Sequence, residues 1–315
     1  MPIKISDGLS AKEKLHEEGI FTIDKGLALH QDIRPLRILI LNLMPLKKPT
    51  ELQLLRLLGD SPLQLEVDFC HTTTHESTHT DPSYLEENYL VYEDIKDNYY
   101  DGVIITGAPV EKMNYEAVDY WPEMVTWLDW ARTHAYSTMY LCWGAQAALY
   151  HYYGIEKRIL PAKLFGIYEY QLTQKYHPLL RGFDDRYFIP QSRHTAINDI
   201  QVYNTPELDI LSRSAENGIN IIGTPNHRRF FILGHFEYDR RTLEGEYLRD
   251  KKKGLPIAIP AHYYPDDNDG NTPSFTWCSY AHLFYHNWLN MVYQETPYII
   301  ENIAKMETAE SSCAH

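Results

Sequence analysis

The stretch that decides the reading is STMYLCWGAQAALY, Ser137–Tyr150. Thr138–Leu141 has the character of a short strand and Ala145–Tyr150 that of a helix, with Cys142, Trp143 and Gly144 between them. A thiol needed only for packing has no reason to sit where a buried strand breaks into a helix. A nucleophile does, because a sharp strand-to-helix turn projects its side chain and aims the helix's first N–H groups at the reacting atom. The same helix end favours a thiolate over a thiol. Cys142 is therefore the candidate nucleophile, and the N–H of Trp143, next in the chain, is a natural donor to an oxyanion.

Upstream, the chain alternates strand and helix. PLRILILNLMP (Pro35–Pro45) is a continuous apolar run of the kind that parallel strands show when buried on both faces. Lys47–Gly59 reads as a helix with Thr50 as N-cap and Gly59 as its end. Leu63–His71 alternates as a second strand, and Tyr100–Glu111 is a third that enters a Gly-Ala-Pro loop. Trp121–Ala135 is helical and leads into the cysteine strand. Short links between such elements predict an α/β fold with a doubly wound, mostly parallel sheet of flavodoxin-like type. Ligands then bind at the carboxyl ends of the strands.

Downstream, Arg229–Asp239 reads as a strand, Thr242–Gly254 as a helix capped by Thr242, and Ser279–Tyr298 as a last helix rich in aromatics. No repeat or linker interrupts the pattern. The expected organisation is one α/β domain over 35–303, an N-terminal extension (1–34) packed on it, and a disordered tail (304–315).

Bulk composition narrows the classes. With 315 residues, 44% of them hydrophobic and 13% aromatic, the chain has ample material for a core. Its 29 basic against 43 acidic residues, a formal charge of −14, argue against a nucleic-acid or anionic-membrane partner. Four cysteines without C-x-x-C spacing do not form a disulfide framework and fit a reducing, cytoplasmic setting. No run approaches the ~20 apolar residues of a membrane span, and no apolar segment opens the chain.

A nucleophilic cysteine needs a base. GHFEYD contributes His235 and Glu237; two apart on a strand they leave the same face, so the carboxylate can orient the imidazole. In HTTTHESTH, His71, His75 and His79 fall at metal-ligand spacing for a helix, but three consecutive threonines make a poor helix, so the stretch reads as a loop and no metal is expected. His227–Arg229 reads as a solvated turn.

These residues carry a family resemblance. CWGAQ with the later HFE is similar to class I glutamine amidotransferases, although Tyr140 stands where those enzymes usually have glycine. The homoserine O-acyltransferase family, which shares that fold, is resembled more closely. ILNLMPLKKPTE, DGVIITGAPVE, LCWGAQAALYHYYGI, KLFGIYEY, IPQSRHT and GHFEYD look like its signature segments, in order. The resemblance implies a homoserine O-acetyltransferase of methionine biosynthesis. Cys142 would take the acyl group from acetyl-CoA as a thioester, with His235 as base and Glu237 as its partner, and homoserine would then attack in a ping-pong sequence.

The resemblance also implies that Lys163, Ser192 and Arg249 line the homoserine pocket, arginine suiting a carboxylate by its planar fork. The loop after the first strand, near Leu46, would give the second oxyanion donor. Glu111 resembles a position that selects the donor, glutamate accompanying acetyl and glycine succinyl transfer. Acetyl-CoA is a co-substrate, with no permanently bound cofactor, and a homodimer is implied. The alternatives are succinyl-CoA as donor, a glutaminase-type cysteine amidotransferase, and a non-enzymatic interaction or redox-sensing protein on the same core. Missing glycine at 140 and no synthetase domain weigh against the second.

Overall fold

Alternating strand residues facing two separate cores are what a doubly wound sheet requires, and the chain meets that requirement along its centre. A computed structural model describes residues 3–5, 9–17, 22–24, 34–59, 61–74 and 80–306. Its strands are β1 (Ile3–Ile5), β2 (Thr22–Asp24), β3 (Leu36–Leu41), β4 (Leu65–Cys70), β5 (Tyr100–Ile105) and β6 (Ala135–Leu141). β7 (Lys157–Leu172), β8 (Arg186–Ile197), β9 (Asp209–Ser214), β10 (Gly218–Gly223) and β11 (Arg229–Ile232) follow. The helices are α1 (Ala11–Glu17), α2 (Lys47–Gly59), α3 (Pro82–Asn88), α4 (Tyr92–Ile95) and α5 (Trp121–His134). After them come α6 (Trp143–Tyr153), α7 (Asp199–Tyr203), α8 (Thr242–Lys252) and α9 (Cys278–Glu295).

All the strands join one sheet in the order β2-β1-β4-β3-β5-β6-β11-β10-β9-β7-β8. Pairing is parallel from β2 to β11 and antiparallel from there to β8. In β3, Ile38 and Ile40 face a core with α2 and α9, whereas Leu39 and Leu41 face a second core with α5 and α6. Met139 and Tyr140 divide the same way in β6. A continuous apolar strand is thus buried on both faces, as its composition demands. A third, smaller cluster holds Phe165, Tyr238, Leu243, Tyr247 and Trp277 beneath α8.

One register positions the chemistry. β11 lies parallel beside β6 with Ile232 opposite Leu141. Cys142 N–H donates to the Ile232 carbonyl at 2.7 Å. The two strands end together, so the residues that follow each of them emerge at one place.

The structure corrects several expectations. The strand expected over Arg229–Asp239 stops at Ile232, so His235 and Glu237 stand on the loop beyond it. Leu233 N–H turns to the Asn220 carbonyl and His235 N–H to that of Pro190, which draws the chain off β6. Gly234 permits this crossing: a Cβ there would lie 2.7 Å from Gln191 Nε2. Thr50 lies inside α2, its hydroxyl donating back to the Leu46 carbonyl, and is not a cap. Thr242 is the first residue of α8 rather than its cap; its hydroxyl accepts from Asp239 N–H and Gln53.

His227–Arg229 is a turn but not a solvated one. Arg228 is buried, and its guanidinium donates to the carbonyls of Arg132, Ala135 and Tyr136, where α5 passes into β6. The long β7–β8 hairpin was not anticipated at all.

The described pieces of the N-terminal extension join the sheet edge, β1 pairing with β4, and Leu9, Ala11 and Leu15 enter the core. Residues 307–315 of the expected tail lie outside the described residues, as do His75 and His79. Among the described residues no helix is long and apolar enough to cross a membrane, and no group of His, Cys, Asp and Glu is arranged to hold a metal.

Candidate active site

The turn at Cys142 departs from ordinary backbone. Cys142 has φ 49° and ψ −111° and occupies the N-cap position of α6. A non-glycine residue there stores about 1–3 kcal/mol of strain, which the surrounding packing must hold. Two glycines let that packing close. A Cβ at Gly144 would stand 2.7 Å from the Thr106 carbonyl oxygen, so α6 can reach β5 only without one. A Cβ at Gly107 would lie 3.2 Å from Cys142 Cβ, which puts the Gly107 turn directly against the candidate nucleophile.

From β11 the loop brings His235 and Glu237 to this turn. His235 Nδ1 and Glu237 Oε1 are 2.6 Å apart, both side chains buried. The Cys142 thiol is within hydrogen-bonding reach of the imidazole. Tyr238 stacks on the His235 ring at 4.1 Å between centroids. Burial by itself disfavours an imidazolium, but the Glu237 and Cys142 charges and the hydrogen bonds to both outweigh it, and the His235 pKa stands well above the ordinary value. The structure therefore brings Cys142, His235 and Glu237 together. The contact comes from a loop rather than the shared strand face on which the expectation rested.

A second group of side chains gathers beside the triad. The Glu246 carboxylate on α8 accepts from Lys163 Nζ at 3.0 Å and from Ser192 Oγ at 2.6 Å through one oxygen. Its other oxygen accepts from the Tyr238 hydroxyl at 3.2 Å. Burial, with Glu246, Glu237 and Cys142 nearby, raises the Tyr238 pKa well above the usual phenol range, so Tyr238 remains the donor. Arg249 lies one turn further along α8, its Nε donating to Asp250 at 2.7 Å. Lys163 and Ser192 are thus held at one point, with Arg249 on the same helix face as their partner.

Glu111 is no surface glutamate. Its carboxylate accepts from His194 N–H at 3.0 Å, and burial raises its pKa against the opposing pull of that bond and of Lys163, Arg193 and His235. Leu46 is exposed in the loop after β3. β5 separates β3 from β6, so the Gly107 turn at the end of β5 is the one that touches Cys142. Beside Leu46, Lys47 is buried and donates to the Asn42 carbonyl, and burial lowers its pKa to about 8 despite Glu51.

Sequence reading missed Tyr238, Glu246 and Gly107. Glu246 carried one usable signal, its spacing of three from Arg249 on a helix already recognised. Tyr238 and Gly107 matter through contacts between distant segments, which no local pattern announces.

The chain as a whole is similar to several known proteins. Residues 2–298 match the family model for homoserine O-succinyltransferase. A homoserine O-acetyltransferase of Agathobacter rectalis is 52% identical over 299 residues, covering 95% of this chain and 96% of that one. One of Desulfitobacterium hafniense is 49% identical over 304 residues, covering 96% and 99%. Among solved structures, a glutamine amidotransferase of Thermotoga maritima is similar with TM-score 0.53 at 13% identity, over 82% of this chain and 99% of that one. Another, from Methylobacillus flagellatus, gives TM-score 0.52 at 13% identity, over 82% and 95%. At such identities the likeness is one of fold alone, the class I glutamine amidotransferase-like fold.

Proposed function

The chain belongs to the homoserine O-succinyltransferase family, and from that membership and the Cys142 turn we propose that it transfers an acetyl group from acetyl-CoA to the hydroxyl of L-homoserine. It is an acyltransferase, and the observation that supports a covalent route is the strained cysteine in contact with a His–Glu pair.

Glu237 fixes His235 through Nδ1, which leaves Nε2 for the thiol. His235 holds the proton of the Cys142–His235 pair as Sγ adds to the acetyl carbonyl. The tetrahedral oxyanion is held by Trp143 N–H and by an N–H of the Gly107–Ala108 turn, preferred to Leu46 because that turn packs on the nucleophile. Collapse breaks the C–S bond to coenzyme A, whose sulfur leaves with the proton from His235. Acetyl-Cys142 remains.

In the second half the homoserine hydroxyl gives its proton to His235 as its oxygen attacks the thioester. Collapse returns the sulfur and proton to Cys142 and releases O-acetylhomoserine. Lys163, Ser192 and Arg249 line the acceptor pocket, Arg249 engaging the carboxylate. Glu111, held close to the triad, opposes the extra carboxylate of a succinyl donor by charge and bulk. No permanently bound cofactor or metal enters this scheme. The same reading carries a cytoplasmic setting, a homodimer, and a product that feeds methionine biosynthesis.

Intact-mass measurement after mixing with acetyl-CoA alone tests the proposal. One acetyl group should add, and none should add to Cys142→Ala. An adduct that persists in Cys142→Ala overturns the covalent route. Glutamine hydrolysis in the absence of homoserine would favour an amidotransferase instead.

A further inference from the structure

Three donors converge on Glu246, and none of them is explained by the proton transfers above. A carboxylate offers about four acceptor positions. Lys163 and Ser192 occupy both on Oε2, and Tyr238 takes one on Oε1. One acceptor position on Oε1 remains, beside the tyrosine that stacks on His235. Resting on the homoserine reading, we propose that Glu246 binds the α-ammonium of L-homoserine through this position.

Helical spacing gives the proposal its second support. Residues three apart on a helix share a face, so α8 presents the Glu246 carboxylate beside the Arg249 guanidinium, whose Nε is held by Asp250, as an amino-acid zwitterion requires. Exposure orders the groups in depth: the side chains of His235, Glu246 and Arg249 are 4%, 18% and 53% exposed. L-Homoserine then enters hydroxyl first, with its ammonium at Glu246 and its carboxylate at Arg249 near the mouth. Lys163 and Ser192 hold the Glu246 carboxylate in place, and Lys163 offsets its charge when the pocket is empty. Tyr238 ties the ammonium site to the ring that receives the hydroxyl proton, so binding there sets the hydroxyl's approach.

An acceptor lacking only the ammonium separates this from a structural ion pair. Preformed acetyl-enzyme is mixed with L-homoserine or with 4-hydroxybutanoate, and discharge of acetyl-Cys142 is followed by mass for as long as slow acceptors need. Glu246→Gln should still form acetyl-Cys142, which reports that it folds. Its discharge by L-homoserine should slow roughly 30- to 1,000-fold at sub-saturating acceptor, the range for losing a partly buried charged partner. Discharge by 4-hydroxybutanoate should change less than about threefold, since that acceptor never used the site. Glu246→Asp, which keeps the charge, should fall between wild type and Glu246→Gln with L-homoserine. Equal slowing with both acceptors, or none with L-homoserine, overturns the assignment. If wild type forms no acetyl-Cys142, the covalent reading fails instead.

Discussion

Gly144→Ala tests whether the α6–β5 contact sets the nucleophile. The added Cβ would stand 2.7 Å from the Thr106 oxygen and 3.0 Å from that of Ile105, whereas ordinary contact begins at 3.4 Å. Both obstacles are backbone atoms, so no rotamer change relieves them. The first turn of α6 must retreat by about 0.7 Å, the larger of the two shortfalls. Overpacking of this kind costs about 1–3 kcal/mol of stability. The chemical cost is separate. A donor that moves by that much from about 2.9 Å no longer makes a hydrogen bond. Trp143 N–H opens this turn, and loss of one oxyanion donor slows acyl transfer about 10²- to 10³-fold. The assay is the rate of acetyl-Cys142 formation with acetyl-CoA, read by quenched-flow mass measurement, beside Tm for the same sample. The expected result is a lower Tm together with acetylation slowed at least about 100-fold well below that Tm. A lower Tm with the acetylation rate within about threefold of wild type would refute the reasoning: the contact would then serve packing alone.

Glu111→Gly should raise kcat/KM for succinyl-CoA relative to acetyl-CoA by about 10- to 100-fold, the scale of one like-charge repulsion at partly buried range; an unchanged ratio removes Glu111 from donor selection. Glu237→Gln should depress kcat less than His235→Asn, because it acts through the imidazole rather than on the proton. The folded His235 pKa is raised, so its stabilisation is full below the unfolded value of about 6.5 and disappears as pH rises through the folded value. The excess Tm of wild type over Glu237→Gln should therefore shrink from pH 6 towards alkaline pH, and a difference that grows would reverse the coupling. Arg228→Met removes a buried guanidinium that donates to three carbonyls, two of the bonds buried, and should cost about 3 kcal/mol, seen in denaturant melts. Its activity below Tm should persist, since Arg228 lies at the opposite end of β6 from Cys142; lost activity in folded protein would tie that turn to the site.

How much of this was legible depended on the range of each cause. β3, β5 and β6 announce themselves because burial on both faces leaves few polar positions, a property of each segment alone. The Cys142 turn is legible for the same reason: its break from apolar strand to helix is contained in consecutive residues. β11 was read too long because RFFILGHFEYD remains apolar and aromatic past Ile232, and the aromatic residues there are buried by other contacts. Phe236 packs in the core with α9, and Tyr238 in the cluster beneath α8. Apolar composition records burial and not which backbone partner a residue chooses. The burial of Arg228 escapes by the same gap, since its three acceptors come from the passage of α5 into β6, over ninety residues away in sequence.

The parallel half and the antiparallel half contribute different chemistry, and that division decides which residues a local pattern reveals. Cys142 and Trp143 come from the parallel half, where each strand and its helix form a self-contained unit. Lys163 and Ser192 lie on the β7–β8 pair, which β8 closes as an edge, and Glu246 and Arg249 on a helix that packs beside it. Antiparallel strands with one solvated face carry mixed residues, so β7, which pairs with the edge strand β8, shows scattered burial and no apolar run to mark it. An acceptor pocket needs that composition: a zwitterion is bound by charged groups held at partial exposure, where pairing offsets their desolvation. The residues proposed to recognise a polar substrate are thus the ones whose segment least resembles a buried strand. In this chain the candidate nucleophile could be read from fourteen consecutive residues, whereas the Lys163–Ser192–Glu246 cluster required three distant segments to be folded together.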